Sequence, residues 1–192
     1  RMAADVMMTK HEFKSSWEIA VHIMSLVNLG NEKDIQIIKE WASQLKDVRM
    51  RNHEGLWFDG YDQESKTSNV YDTSFAIVAL LKAGEDSNLE IIKKGIDFIQ
   101  RMNDLTYGGW PAKKYEEMDV GATSWAIIAL AKDSYSNPSK IHRGIDWLKF
   151  NQHHDGGWGQ HYYDVNNEAV FSWDKIPGKD NERLIEFLTK NC

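Results

Sequence analysis

Between residues 91 and 99 the chain reads Ile-Ile-Lys-Lys-Gly-Ile-Asp-Phe-Ile, with apolar or small residues at i, i+1, i+4, i+5, i+7 and i+8. That spacing gathers them on one face of an α-helix, whereas a strand would alternate. The same pattern recurs along the chain and predicts helices near 11–29, 33–46, 70–83, 88–103, 120–132 and 138–152, a short one near 166–174, and a last one near 180–190. Asp119, Ser134 and Asn137-Pro138 are start signals, because short polar side chains cap exposed helix N–H groups and proline suits a first turn. Gly30 and Gly84 suit helix ends, where a left-handed residue is needed.

The eight tryptophans carry a second, longer period. Trp125 and Trp173 each follow a serine and each lie 15 residues after a loop tryptophan, Trp110 and Trp158. Extending the columns gives a first helix bearing Ser16-Trp17, Ser74-Phe75, Ser124-Trp125 and Ser172-Trp173. A second helix bears Lys94-Gly-Ile-Asp-Phe-Ile99, Arg143-Gly-Ile-Asp-Trp-Leu148 and Arg183-Leu-Ile-Glu-Phe-Leu188, with a worn copy around Trp41. A loop then carries Gly55-Leu-Trp57, Gly108-Gly-Trp110 and Gly156-Gly-Trp158. The expectation is one repeat domain over 1–192, in units of about 11–57, 68–110, 118–158 and 165–192. Pro177 and Gly178 shorten the first helix of the fourth unit, which reads either as a terminal cap or as an array that continues beyond this sequence.

Composition narrows the function classes. A net charge of −6 lacks the basic footprint that nucleic acid requires. Apolar stretches such as Phe75 to Leu81 are too short to span a bilayer, and no signal-peptide pattern opens the chain, so a cytoplasmic home is expected. Arg1 ahead of Met2 leaves the natural start open, and the single cysteine, Cys192, allows neither an internal disulfide nor a Cys-built zinc site.

Arg143-Gly144, two residues, Trp147-Leu148, three residues, Gln152, three residues and Gly156-x-Trp158 together resemble the QW motif of squalene and hopene cyclases at every spacing. Lys94-Gly95, Phe98-Ile99, Asn103 and Gly108-Gly-Trp110 make a second copy with one inserted residue. The chain thus resembles the terpene cyclase and prenyltransferase toroid family over roughly residues 11–190. The resemblance implies an all-α fold, an α/α toroid-like array of about four helical hairpins whose inner helices face a hydrophobic isoprenoid. Four hairpins make an open or partial barrel, which a second copy in a homodimer or a further segment would complete. A glutamine at the end of an outer helix is expected to bond unpaired backbone groups there while the loop tryptophan packs on it.

Cyclases of this family that protonate an alkene carry D-x-D-D at the head of an inner helix, because paired carboxylates can hold one proton between them. Here the matching stretches are Asn69-Val70-Tyr71-Asp72, which keeps the last acid, and Asp119-Val120-Gly121-Ala122, which keeps the first. Asp72 and Asp119 are therefore the catalytic candidates, expected to approach each other at one rim; the plainer reading is that each caps its helix. Trp17, Tyr71, Phe75, Trp125 and Trp173 are the ligand-binding candidates, set against ordinary aromatic packing.

Family members that prenylate proteins hold zinc through Asp, Cys and His, but Gly121 falls where the cysteine would be, and no metal or other cofactor is expected. His153, His154, Asp155 and His161 cluster in a loop without the fixed helical spacing of a metal motif, and His22 is expected to pack in the core.

Three functions follow. The first is a cyclase-like protein holding an isoprenoid, a hydrophobic small molecule, with its acid at Asp72 or Asp119. The second is a non-catalytic interaction module on a helical-repeat scaffold. The third is a carbohydrate-active toroid using carboxylates such as Asp59, Asp62 and Asp119, which nothing specific selects.

Overall fold

A computed structural model describes residues 13, 15–47, 68–114, 116–132, 136–153, 156–158, 162–163 and 169–170. Six helices account for most of them: α1 (Ser16–Leu29), α2 (Ile35–Asp47), α3 (Val70–Lys82), α4 (Glu90–Met102), α5 (Val120–Ala131) and α6 (Pro138–Phe150). The fold is all-α and of the toroid type, apart from a two-residue antiparallel pairing of Tyr162–Tyr163 with Ala169–Val170. Its second strand, Ala169–Val170, falls inside the helix expected near 166–174, where β-branched Val170 favours extended backbone over a helical turn. The helix expected at 180–190, and with it most of the fourth unit, lies outside the described residues.

The capping chemistry follows the sequence. Asn69, Asp119 and Asn137 each accept a first-turn backbone N–H, from Asp72, Ala122 and Ser139 respectively. Gly30 closes α1 at φ 66°, a conformation open to glycine, and donates to the carbonyls of Leu26 and Val27. The start of α1 differs from the expected 11–29. Ser15 has extended backbone and its side chain accepts the Glu18 N–H at 3.2 Å, so the helix begins at Ser16. In α3 and α5 the cap stands six residues ahead of the column aromatic, Phe75 or Trp125; in α1 it stands two ahead of Trp17. The first inner helix is therefore about one turn shorter at its head.

Helices α1, α3 and α5 lie side by side as an inner layer, and α2, α4 and α6 each pack on the preceding inner helix. Position in the layers explains composition. Helix α3 has a neighbour on either side and a partner behind, and from Asp72 to Leu80 every residue is buried. Outer α4 is two-faced: Ile92, Gly95, Ile96, Phe98 and Ile99 are buried, while Lys93, Lys94 and Asp97 are exposed. Glycine at 95 and 144 lets the outer helices approach closely. A Cβ on Gly144 would stand 2.5 Å from Trp110 Cζ3, and one on Gly95 would stand 2.8 Å from Ile77 Cδ1.

Adjacent hairpins are also tied by polar contacts. Lys46 pairs with Glu85 at 2.5 Å, and Lys140 Nζ donates to the Gln100 carbonyl at 2.5 Å. One expectation for the core fails: His22 is exposed. Its Nδ1 lies 2.8 Å from the Glu18 carbonyl, and its ring meets the edges of Phe13 and Trp41, because the outward side of α1 at this position faces solvent.

Candidate functional site at the heads of the inner helices

The QW loop after α4 brings the chain back to the head of α5, and its counterpart after α6 is described at Gly156–Trp158. Both tryptophans donate their indole N–H into the last turn of the outer helix they follow, Trp110 to the Ile99 carbonyl at 2.7 Å and Trp158 to the Leu148 carbonyl at 2.6 Å. The amide side chains serve the loop. Asn103 Nδ2 donates to the Gly108 carbonyl at 2.7 Å, and Gln152 Nε2 donates to the Gly156 carbonyl at 2.8 Å. The expected division of labour is thus reversed: the tryptophan satisfies the helix end and the amide satisfies the turn.

The loop of the second unit then locks onto the third. Gly108, at φ 91°, lies so close to α6 that a Cβ would be 2.9 Å from the Arg143 carbonyl oxygen. Arg143 donates to the Leu105 carbonyl at 2.9 Å and to Asn103 Oδ1 at 3.1 Å. The Trp110 N–H donates to Thr123 Oγ1 at 2.9 Å, and the Asp119 N–H donates back to the Trp110 carbonyl at 2.9 Å. The heads of α3 and α5 are held at one rim by these backbone contacts and by the bond from the Val70 N–H to the Ala112 carbonyl at 2.9 Å.

At that rim the two acids play different parts. Asp119 is a cap: its Oδ1 accepts the Ala122 N–H at 2.7 Å, as the plainer reading expects. Asp72 is not a cap. It is buried, at 5% exposure; Oδ2 accepts from Asn69 Nδ2, and Ser16 Oγ, reaching across from α1, lies 3.5 Å from Oδ1. Tyr71, the neighbour of Asp72 in the chain, donates its phenolic O–H to Asp119 Oδ1 and so ties the head of α3 to that of α5. Gly121 makes room for it, since a Cβ there would be 2.9 Å from Tyr71 Cε1 and nearer still to the phenolic oxygen.

Three of the aromatic candidates form a row across the inner layer. Phe75 lies over Trp125 with ring centroids 3.9 Å apart and a 32° tilt, and Trp17 meets Phe75 edge-on at 6.2 Å. Phe75 is buried, and Trp17 keeps 45% of its surface exposed. Tyr71 stands one turn ahead of Phe75 on the same face of α3. Trp173 lies outside the described residues, so this row is drawn from three of its four column positions. In the serine column beside it, Ser124 Oγ donates to the Val120 carbonyl at 2.8 Å, and Ser74 Oγ is buried with no partner among the described residues.

A pocket of about 380 Å³ lies between the heads of α1 and α3, lined by Ser15, Trp17, Asn69, Tyr71, Asp72, Ala112 and Lys113. Its size is at the lower end of the range for small-molecule sites, about 300–1,000 Å³. Asp72, Tyr71 and Trp17 were candidates from sequence. Ser16, Asn69 and Lys113 were not. Asn69 had a signal in its cap spacing three residues before Asp72, and Ser16 in its repeat column, whereas Lys113 in the connection had none. Among the described residues no three His, Cys, Asp or Glu side chains gather as metal ligands; His154, Asp155 and His161 lie outside them.

The family model for the squalene-hopene cyclase C-terminal domain matches residues 14–171. The chain belongs to that family. Among its relatives, the enfumafungin synthase of Hormonema carpetanum is 26% identical over 185 residues, covering 88% of this chain and 14% of that protein. The squalene–hopene cyclase of Bradyrhizobium diazoefficiens is 28% identical over 147 residues, 65% of this chain and 21% of that protein. The sporulenol synthase of Bacillus subtilis is 23% identical over 162 residues, 77% and 24% of the two. The chain spans less than a quarter of the length of each of these relatives. In this member of the squalene-hopene cyclase C-terminal domain family, the described QW loops fasten helix ends to turns, and the candidates Asp72, Tyr71 and Asp119 stand at the heads of the inner helices.

Proposed function

We propose that the chain forms part of the isoprenoid-binding wall of a terpene cyclase-type protein, with a hydrophobic ligand lying along Trp17, Phe75 and Trp125 and Asp72 as the acid beside it. The observation that carries this reading is the continuous aromatic row ending at a pocket with a buried carboxylate in its wall. Apolar rings with one placed polar group are what a hydrophobic ligand with a reacting end requires, and ring faces stabilise positive charge that develops on it. Asp72 is preferred to Asp119 because it lines the pocket. Trp173 is the proposed fourth position of the row. The ring that encloses the ligand is completed by a homodimer or by further segments, and the protein works in the cytoplasm. Among the described residues no helix is long and apolar enough to cross a membrane.

A second reading, binding without cyclisation, is favoured by the acid motif itself. Asn69 and Tyr71 stand where the family's first and middle acids would be, and the Asn69 amide donates to the remaining one. Native mass spectrometry of the protein after incubation with isoprenoids, followed by extraction and gas chromatography, tests both. A retained and cyclised isoprenoid that is no longer cyclised by Asp72→Asn supports the cyclase reading. Retention without conversion supports binding alone, and an absence of retained isoprenoid refutes both.

A further inference from the structure

The phenol of Tyr71 occupies the gap between the head of α3 and the head of α5. Its O–H is donated to Asp119 Oδ1, its ring lies over the backbone of Gly121, and its other side faces the pocket that contains Asp72. Asp119 is itself fixed, because the same oxygen accepts the Ala122 N–H at 2.7 Å and caps α5. The pocket thus lies between the heads of α1 and α3, and Tyr71 is the side chain of its lining that reaches across to α5. From this geometry we infer that Tyr71, latched to Asp119 and seated on Gly121, is the specificity-determining wall of the pocket and limits the length of isoprenoid that lies beside Asp72. The inference rests on the isoprenoid-binding reading and names the feature of the site that selects among isoprenoids.

Each element of the device has a distinct consequence. Removing the phenol joins the pocket to the space over Gly121, toward Trp125, and admits a longer chain. Filling the seat does the opposite. A methyl group at residue 121 meets the ring and hydroxyl of Tyr71, and the phenol, at the end of a side chain, is the part that yields: it gives up the bond to Asp119 and turns away from α5 into the pocket. Alanine is also the better helix former, so Gly121→Ala perturbs the site without weakening α5.

The test measures binding of geraniol, farnesol and geranylgeraniol, which differ by one isoprene unit, to the whole chain and to its Tyr71→Ala and Gly121→Ala variants by native mass spectrometry. A single methylene in a fitted apolar pocket changes discrimination by about ten-fold or more. The ratio of geranylgeraniol to geraniol affinity should therefore rise at least about ten-fold in Tyr71→Ala, and affinity for all three should fall about ten-fold in Gly121→Ala. Nitration of tyrosines, mapped by peptide, reads the latch without any ligand: Tyr71 should react more slowly than exposed Tyr107 in the parent and gain reactivity in Gly121→Ala.

A geranylgeraniol-to-geraniol affinity ratio that Tyr71→Ala leaves unchanged overturns the wall while leaving the isoprenoid reading standing. Absence of binding to all three overturns that reading and the wall's selective role with it. Equal nitration of Tyr71 and Tyr107 in the parent overturns the latch.

Discussion

Gly144→Ala sets two known effects against each other. In an exposed helix interior the change would stabilise by about 0.8–1.0 kcal/mol, because alanine restricts the unfolded chain and shields the backbone. At this site the new methyl group stands 2.5 Å from Trp110 Cζ3 and 3.1 Å from Ile127 Cδ1. The indole cannot step aside easily: it is fully buried, its Nε1 donates to the Ile99 carbonyl at 2.7 Å, and its backbone N–H donates to Thr123 Oγ1 at 2.9 Å. Overpacking of a tight core costs about 1–3 kcal/mol, and the immobile tryptophan puts this case toward the upper part of that range. The expected net change is a loss of about 1–2 kcal/mol after the helix-propensity gain is subtracted. With a urea slope of about 2 kcal/mol/M, the midpoint should fall by roughly 0.5–1 M without a change in slope. Gly95→Ala is the comparison: its nearest neighbour is the Cδ1 tip of Ile77 at 2.8 Å, a side-chain end that can rotate, so its effect should stay within about 1 kcal/mol of zero. Urea unfolding followed by far-UV circular dichroism measures both. A Gly144→Ala midpoint at or above that of the parent would refute the close packing of α6 on Trp110.

Other perturbations test neighbouring parts of the argument. Trp158→Phe keeps most of the ring but leaves the Leu148 carbonyl without its indole donor, and thermal unfolding should show a loss of about 1–3 kcal/mol, the cost of stranding a buried acceptor. Arg143→Ala removes the bonds to Leu105 and Asn103, so hydrogen exchange of amides 103–110 should quicken, and Arg143→Lys should not restore protection because a single ammonium lacks the guanidinium fork. The Asp86 carboxylate is held below its ordinary range by the Asn88 backbone N–H and then by the Asn88 side chain. Its small contribution is therefore present above the unfolded-state value and is lost as pH falls through the lower folded one; an NMR titration placing its midpoint above that of the unfolded chain would contradict the turn.

Much of this was legible because it is local. The helices of the first three units, the Asn137-Pro138 start and the Asp119 cap follow from spacing within a few residues, and the QW fastening from a motif that closes within one hairpin. What could not be read joins distant parts of the chain. Ser16 reaches Asp72 from 56 residues away, and Tyr71 reaches Asp119 from 48. The late start of α1 was hidden for a different reason: Ser15 supplies a local cap that overrides the repeat register. His22 reads as a core residue because it lies on an apolar helix; its neighbours Ile19, Ala20 and Ile23 are buried, but it falls on the other side of that helix. Periodicity identifies an apolar face without saying how far around the helix that face extends.

Asn69→Asp asks whether the eroded acid motif still has the geometry to share a proton. In the parent, Asn69 Oδ1 accepts the Asp72 N–H at 2.7 Å while Nδ2 donates to Asp72 Oδ2, and both residues are about 5% exposed. Aspartate keeps the capping oxygen and replaces the amide donor with a second carboxylate facing the first. Two such groups out of water cannot both ionise without cost, so the folded variant should hold one proton that the unfolded chain has already released. The sign follows from that: a raised folded-state value makes the pair's contribution full at acid pH and lost as pH rises through it. At neutral pH the variant should be less stable than the parent by about 1–3 kcal/mol, the cost of removing a buried donor from a charged acceptor, and the gap should narrow near pH ~4. Asn69→Ala loses the cap and the donor but adds no charge, so its deficit should depend less on pH. Urea midpoints of the three proteins across that range decide the matter. If the Asn69→Asp deficit stays flat or widens toward acid, residues 69 and 72 do not face each other, and Asp72 loses the neighbour through which a proton-sharing acid could be rebuilt. If it narrows, residues 69 and 72 face each other closely enough to share a proton, which is the condition that paired carboxylates supply.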